Sequence, residues 1–174
     1  MHVTLLKASD ATRYRQLMLQ AYELAADAFT STAAEREAEP ESFWVKRIAD
    51  PSGISAAFGA FEGQELVGTV ALDFSAKPKT KHKALVIGMY VSPEARETGA
   101  GRALLEAAVE YARTRQGTLQ LTLTVTEGNT PAVNLYTSAG FKSFGIEPMA
   151  ILTPGGYKAK VHMWLSLQRN APAA

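Results

Sequence analysis

An α/β fold, a mixed sheet that is mostly antiparallel and carries helices on its faces, follows from three features of this 174-residue chain. Three apolar runs, residues 54–61, 66–74 and 84–91, follow one another across connections too short for a crossover, so they pair as antiparallel strands. From residue 101 to 115 the apolar period becomes helical, with Leu104, Leu105, Ala108, Tyr111 and Ala112 on one side. Residues 119–125 then alternate Leu, Thr and Val, which is a strand pattern again.

The remaining elements fill in around these. Residues 3–6 read as a first strand. Ser9 or Asp10 is placed to cap a helix whose apolar positions are Tyr14, Leu17, Met18, Ala21, Tyr22, Leu24 and Ala25. Residues 30–39 read as a polar linker. Pro40 suits the first turn of a second helix carrying Phe43, Trp44, Val45 and Ile48, and Asp50-Pro51-Ser52-Gly53 ends it. Residues 131–138 form a short helix with Gly140 at its C-terminal cap. Two last strands, 142–152 and 158–167, flank Pro154-Gly155-Gly156. Residues 1–168 are expected to form one domain, with 169–174 frayed.

Composition narrows the function classes. Charge is balanced, 18 basic against 17 acidic residues, so no basic face for nucleic acid is expected. The chain has no cysteine, which removes disulfides, thiolate metal sites and a cysteine nucleophile, and suits a reducing compartment. No His/Asp/Glu grouping has metal-ligand spacing, so no metal is expected. The longest apolar run, 84–91, is eight residues, far below the roughly 20 of a membrane span. The opening Met-His-Val-Thr-Leu-Leu-Lys lacks the pattern of a secretory signal, and a cytoplasmic protein without a membrane partner is expected.

The segment from Met89 to Leu105 carries the chemistry. A strand enters a loop, Arg96-x-x-Gly99-x-Gly101, and the loop opens a helix. Backbone N–H groups and the helix dipole converge there, which favours a phosphate or diphosphate. With 13 glycines in the chain, chance alone supplies roughly one Gly-x-Gly, so the pair is weak by itself. Leu104 breaks the dinucleotide-binding fingerprint, and no Gly-Lys-Ser/Thr follows for a nucleotide-hydrolysing loop.

A second motif resolves the ambiguity. Asn129-Thr-Pro-Ala132-Val-Asn134-Leu135-Tyr136 leads to Gly140-Phe141. Together the two motifs resemble the GCN5-related N-acetyltransferase superfamily, with its Gln/Arg-x-x-Gly-x-Gly/Ala loop and its Asn-x-x-Ala-x-x-Leu-Tyr-x-x-x-Gly-Phe segment. The resemblance is strong from about residue 66 to 145. It implies the superfamily's acyl-CoA N-acyltransferase fold, acetyl-CoA as cosubstrate and an amine acceptor. It further implies that the amides of Thr98, Gly99, Ala100, Gly101 and Arg102, with Arg96 beside them, hold the diphosphate. The exposed backbone of Met89 and Val91 then bonds the pantetheine arm, with Asn129 and Asn134 on the other side. Phe29, Ser31, Thr32 and Trp44 become the acceptor-side candidates.

The expected reaction sets further demands. A primary ammonium (pKa ~10.4) is almost wholly protonated at pH 7, yet only the neutral amine attacks a thioester. The site must remove that proton, polarise the carbonyl and protonate the leaving thiolate. A backbone N–H near 89–91 suits the carbonyl, and the resemblance gives Tyr136 the acid role. The strand residues Leu85-Val86-Ile87-Gly88 offer no carboxylate base. Glu127, Glu147, His82 and Tyr90 are the alternatives, and water-assisted removal with Glu127 or Glu147 as relay is the favoured route. A coenzyme A-binding module without turnover is the competing reading. Exposed edge strands point to a homodimer.

Overall fold

The structure, a computed structural model, describes residues 1–168; the expected frayed end at 169–174 lies outside the described residues. Seven strands build one sheet: β1 (His2–Leu5), β2 (Ser55–Glu62), β3 (Glu65–Phe74), β4 (Lys83–Val91), β5 (Gln120–Thr126), β6 (Lys142–Thr153) and β7 (Gly156–Ser166). Their order is β1-β2-β3-β4-β5-β7-β6. Only β4 and β5 run parallel; the other neighbours are antiparallel. Helices α1 (Ala11–Leu24), α2 (Ala33–Glu37), α3 (Glu41–Ala49), α4 (Ala100–Thr114) and α5 (Thr130–Ser138) complete the fold. α4 is the crossover that the parallel pair requires.

The central strand explains the layering. On β3, Val70, Leu72 and Phe74 face a core shared with Leu104, Leu105 and Ala108 of α4. Ala71 faces the opposite core, with Tyr14, Leu17 and Met18 of α1 and Trp44 and Ile48 of α3. A period of two sends neighbouring side chains to opposite faces, and both faces of this strand are covered. Burying a side chain such as Leu104 is worth roughly 1.5–3 kcal/mol.

Two local expectations change. Residues 30–39 are not all linker, because α2 lies within them. Thr32 Oγ1 accepts from the Glu35 N–H at 3.2 Å, and Glu35 Oε2 accepts from the Thr32 N–H at 2.7 Å. This is a reciprocal cap on a helix too short to show a period. At the start of the chain, neither Ser9 nor Asp10 caps α1 through its side chain. A 3-10 turn, Ala8–Asp10, precedes the helix, and the Asp10 carboxylate accepts from the Lys7 N–H at 2.9 Å.

One irregularity opens the sheet. Thr69 opposes Tyr90 and Ala71 opposes Ile87, so Val70 faces two residues of β4. This is a bulge at 88–89, with Gly88 at φ +60°. The ladder from β4 to β5 lasts only three pairs, ending at Leu85 and Thr122. Beyond it the two strands part. At the far edge, Phe144, Ile146, Met149 and Leu152 of β6 are exposed. Among the described residues no helix is long and apolar enough to cross a membrane.

Candidate functional site

The parting of β4 and β5 leaves a cleft of about 340 Å³. Leu85 to Met89 of β4 form one wall, Thr124 to Thr126 of β5 another, and Asn129, Ala132, Leu135 and Tyr136 of α5 a third. Phe29, Thr30 and Lys160 close it. Among the described residues no carboxylate lines the cleft, and Tyr136 and Lys160 are its titratable side chains. A second hollow, about 270 Å³, runs between α4 and α5, carries Arg102 and meets the cleft at Leu135.

The glycine loop adjoins both hollows: Arg102 lines the second, and Gly101 lies against Met89 and Leu135 of the first. Gly99 takes φ +89° as the N-cap of α4, a conformation other L-residues adopt only with strain. The first helical bond is from the Ala103 N–H to Gly99 O, 3.0 Å. The amides of Ala100, Gly101 and Arg102 are therefore the orphan donors of the helix start. Ala100 itself is buried, so it offers backbone only. Gly101 serves differently from Gly99. A Cβ there would lie 3.5 Å from Leu135, 3.6 Å from Met89 and 3.9 Å from Val91. Thr98 Oγ1 donates to Ala95 O at 2.8 Å and Arg96 Nε to Val91 O at 3.3 Å, so both side chains brace the loop.

Tyr136 is 6% exposed and packs edge-on against Phe141, with ring centroids 5.8 Å apart. Burial pushes its phenol up to about 12. Asn129 caps α5, its Oδ1 accepting from the Ala132 N–H at 3.3 Å. Asn134 is exposed and, two positions before Tyr136, points to the other side of the helix.

The four alternatives for the base fall outside the cleft lining. Glu127 is exposed on the turn after β5, where its N–H bonds Ala159 O at 2.9 Å. It lines a separate hollow beside the Lys158–Asp27 ion pair of 2.5 Å. Glu147 pairs with His162 at 3.0 Å and stands across from Lys160 in the β6–β7 register. Tyr90 is buried toward α1, its hydroxyl without a partner. His82 precedes β4, and six residues of extended chain put it about 20 Å from Gly88.

Of the acceptor-side candidates, Phe29 lines the cleft, and both Phe29 and Ser31 line an adjoining hollow. The Thr32 hydroxyl is engaged in the cap of α2. Trp44 is 1% exposed and belongs to the core, edge-on to Tyr14 and Phe43. Lys160 was not singled out by the sequence, because an alternating strand hides which lysine turns inward. It is 9% exposed, and burial lowers its ammonium pKa while Glu147 opposes the shift. Gly88 was legible as a bulge signal, a lone glycine inside a strand.

The model of the acetyltransferase (GNAT) family matches residues 18–141. Among curated proteins, the L-amino acid N-acetyltransferase AaaT of Escherichia coli (strain K12) is 27% identical over 123 residues, 71% of this chain and 75% of that one. A mycothiol acetyltransferase of Geodermatophilus obscurus is 34% identical over 116 residues, 64% of this chain but 33% of that protein. The chain thus spans about a third of that longer relative. Among solved structures, the putative acetyltransferase yncA from Salmonella typhimurium with its cofactor acetyl-CoA superposes with a TM-score of 0.81. Its identity is 19%, and 100% of this chain and 98% of that one are covered. A GCN5-related N-acetyltransferase from Kribbella flavida gives 0.79 at 24% identity, over 95% and 96%. At these identities the structural likeness is one of fold.

Proposed function

This chain belongs to the acetyltransferase (GNAT) family, with acetyl-CoA as its acyl donor, and from that premise we propose direct acetyl transfer to a primary amine with Tyr136 as general acid. The observation behind this reading is that the cleft holding the Tyr136 phenol borders the glycine loop, because Gly101 lies against Met89 and Leu135, two of the cleft's lining residues. The amides from Thr98 to Arg102 meet the diphosphate, with the loop braced by Arg96. The edge of β4 beyond its ladder with β5, at Met89 and the Val91 N–H, with Asn129 opposite, suits the pantetheine amides; Val91 O is held by Arg96. Asn134, exposed on the far side of α5, contributes no contact in this arrangement. The whole of residues 1–168 acts as one transferase unit.

Acetyl-CoA supplies the activated acyl carbon. An amine nitrogen forms a bond to that carbon as the carbon–sulfur bond breaks. A backbone N–H of the bulge polarises the carbonyl oxygen, where a fixed donor in a water-poor cleft counts for more than in bulk solvent. Tyr136 gives its proton to the sulfur; its raised pKa keeps it protonated throughout the neutral range. The amine proton leaves through water. Neither Glu127 nor Glu147 lines the cleft, so we assign the relay to Lys160, whose charged form burial disfavours. Glu147, opposite Lys160 in the β6–β7 register, opposes that shift by its charge.

The test is thiol release from acetyl-CoA against a panel of primary amines. Tyr136→Phe is expected to lower kcat by about 100-fold or more while the acetyl-CoA Kd moves less than threefold. Equal rates remove Tyr136 from the acid role, and tight acetyl-CoA binding without turnover on any amine establishes a binding module instead. The exposed Phe144, Ile146, Met149 and Leu152 on the edge strand β6 support a homodimer. Ile146→Glu is expected to convert it to a monomer in light scattering, and a monomeric wild-type protein would refute the pairing.

A further inference from the structure

Next to the cleft lies a second hollow of about 150 Å³ that shares Phe29, Thr30, Ile87 and Gly88 with it. Its deeper wall is polar and comes from three helices: Tyr14 and Tyr22 of α1, Arg36 of α2 and Arg47 of α3. Among the described residues no carboxylate lines it. The two arginines do have acidic partners, but these sit behind them. Asp73 pairs with Arg47 at 3.1 Å and lines a different hollow, on the other side of that guanidinium. Glu39 pairs with Arg36 at 3.4 Å and lines neither. The inner face of the hollow is therefore cationic.

Two further observations bear on what this face could hold. Arg36 Nε is buried with no hydrogen-bond partner, and a buried guanidinium N–H left unsatisfied is costly unless a ligand accepts from it. Both guanidiniums also lie over the Phe43 ring, 4.8 Å and 5.6 Å from its centroid, which holds their planar forks in place. The two phenols add neutral donors. Burial raises Tyr14 and Tyr22, and the two arginines oppose this without reversing it.

The hollow ends on the β4 bulge. Tyr14 Oη is 3.6 Å from the position a Gly88 Cβ would take, so the donor set touches the backbone that borders the acyl cleft. A molecule anchored here by its anion presents its next few atoms to that cleft. We propose that Arg36 and Arg47 form a carboxylate-binding subsite, and that the acceptor is a small amine carrying its carboxylate close to the amino group, as an amino acid does. The inference rests on the transferase reading of the neighbouring cleft.

The experiment compares the twenty standard L-amino acids with their primary amides, by calorimetric binding in the presence of coenzyme A and by thiol release from acetyl-CoA. Amino acids are expected to bind at least tenfold more tightly than their amides. Arg36→Gln, a change on a half-exposed helix, is expected to raise KM for the acid at least tenfold with kcat within threefold, and to leave the amide unmoved. Arg36→Lys recovers part of the loss, and Arg47→Gln, checked for an unchanged fold by its melting temperature, repeats it. Acid-selective binding that Arg36→Gln abolishes, but with no acetyl transfer, sustains the subsite and overturns the transferase reading. The subsite is overturned if acids and amides behave alike, if no amino acid binds, or if Lys160→Met removes the preference while the arginine variants keep it.

Discussion

Gly101 separates what the fold needs from what the cosubstrate needs. A methyl group at this position would meet Leu135, Met89 and Val91 at 3.5, 3.6 and 3.9 Å. Those are ordinary contact distances, so Gly101→Ala fits the protein. The loss of a helical glycine stabilises by up to about 0.5–1 kcal/mol, which for a domain of this size is a rise in Tm of roughly 1–4 °C. Gly101→Val is different. Its γ carbons reach about 1.5 Å beyond Cβ, either into side chains already in contact or into the open path. The first outcome is overpacking, about 1–3 kcal/mol; the second obstructs the coenzyme. Either way the acetyl-CoA Kd is expected to rise at least tenfold, equivalent to about 1.4 kcal/mol, while Gly101→Ala stays within threefold. Calorimetric titration of both variants, with thermal unfolding alongside, is the assay. A valine variant that folds and binds with the wild-type Kd would refute this placement of the path.

Three other outcomes follow from the same geometry. Lys160→Met is expected to lower kcat at neutral pH at least tenfold and to flatten the rise of rate with pH; an unchanged pH–rate profile removes Lys160 from the relay. Thr32→Ala breaks the reciprocal cap of α2, at about 0.5–2 kcal/mol. Because α2 carries Arg36, the acceptor KM should rise while the acetyl-CoA Kd holds, and equal shifts in both would contradict it. The Tyr136 phenol is raised by burial to about 12, above its ordinary value of ~10. Its contribution to stability is thus fully present below about pH 10 and is lost as pH rises through about 12. Chemical denaturation at pH 9 and 11 should show Tyr136→Phe losing less stability over that interval than wild type, and an identical loss would contradict the shift.

Much of this fold was legible because its signals are local. The alternation around Thr122 and Thr124, the helical period through Leu104 and Ala108, and the turn residues between strands each report one element. The motifs behind the proposed coenzyme site are local too, since Arg96 to Gly101 and Asn129 to Phe141 are contiguous. α2 was missed because five residues hold barely more than one turn, and only the Thr32–Glu35 cap betrays it. Glu127 and Glu147 were favoured as relay because Leu85 to Gly88 of β4 offer no carboxylate. The turn after β5 carries Glu127 to a separate hollow, and Glu147, opposite Lys160 in the β6–β7 register, spends its carboxylate on His162. Trp44 was grouped with the acceptor side, yet the helix it belongs to turns it into the core and turns Arg47 toward the hollow. The acceptor hollow draws on Tyr14, Arg36, Arg47 and Gly88, each from a different element, so no window of sequence displays it.

The proposed grip of main-chain donors at the start of α4 on the diphosphate of the acyl carrier is open to direct observation in a crystal structure of the protein with coenzyme A. The diphosphate is expected within hydrogen-bond distance of the amides between Thr98 and Arg102, with the pantetheine thiol in the cleft by Tyr136. A diphosphate bound away from that loop, or a thiol outside the β4–β5 opening, would contradict the account.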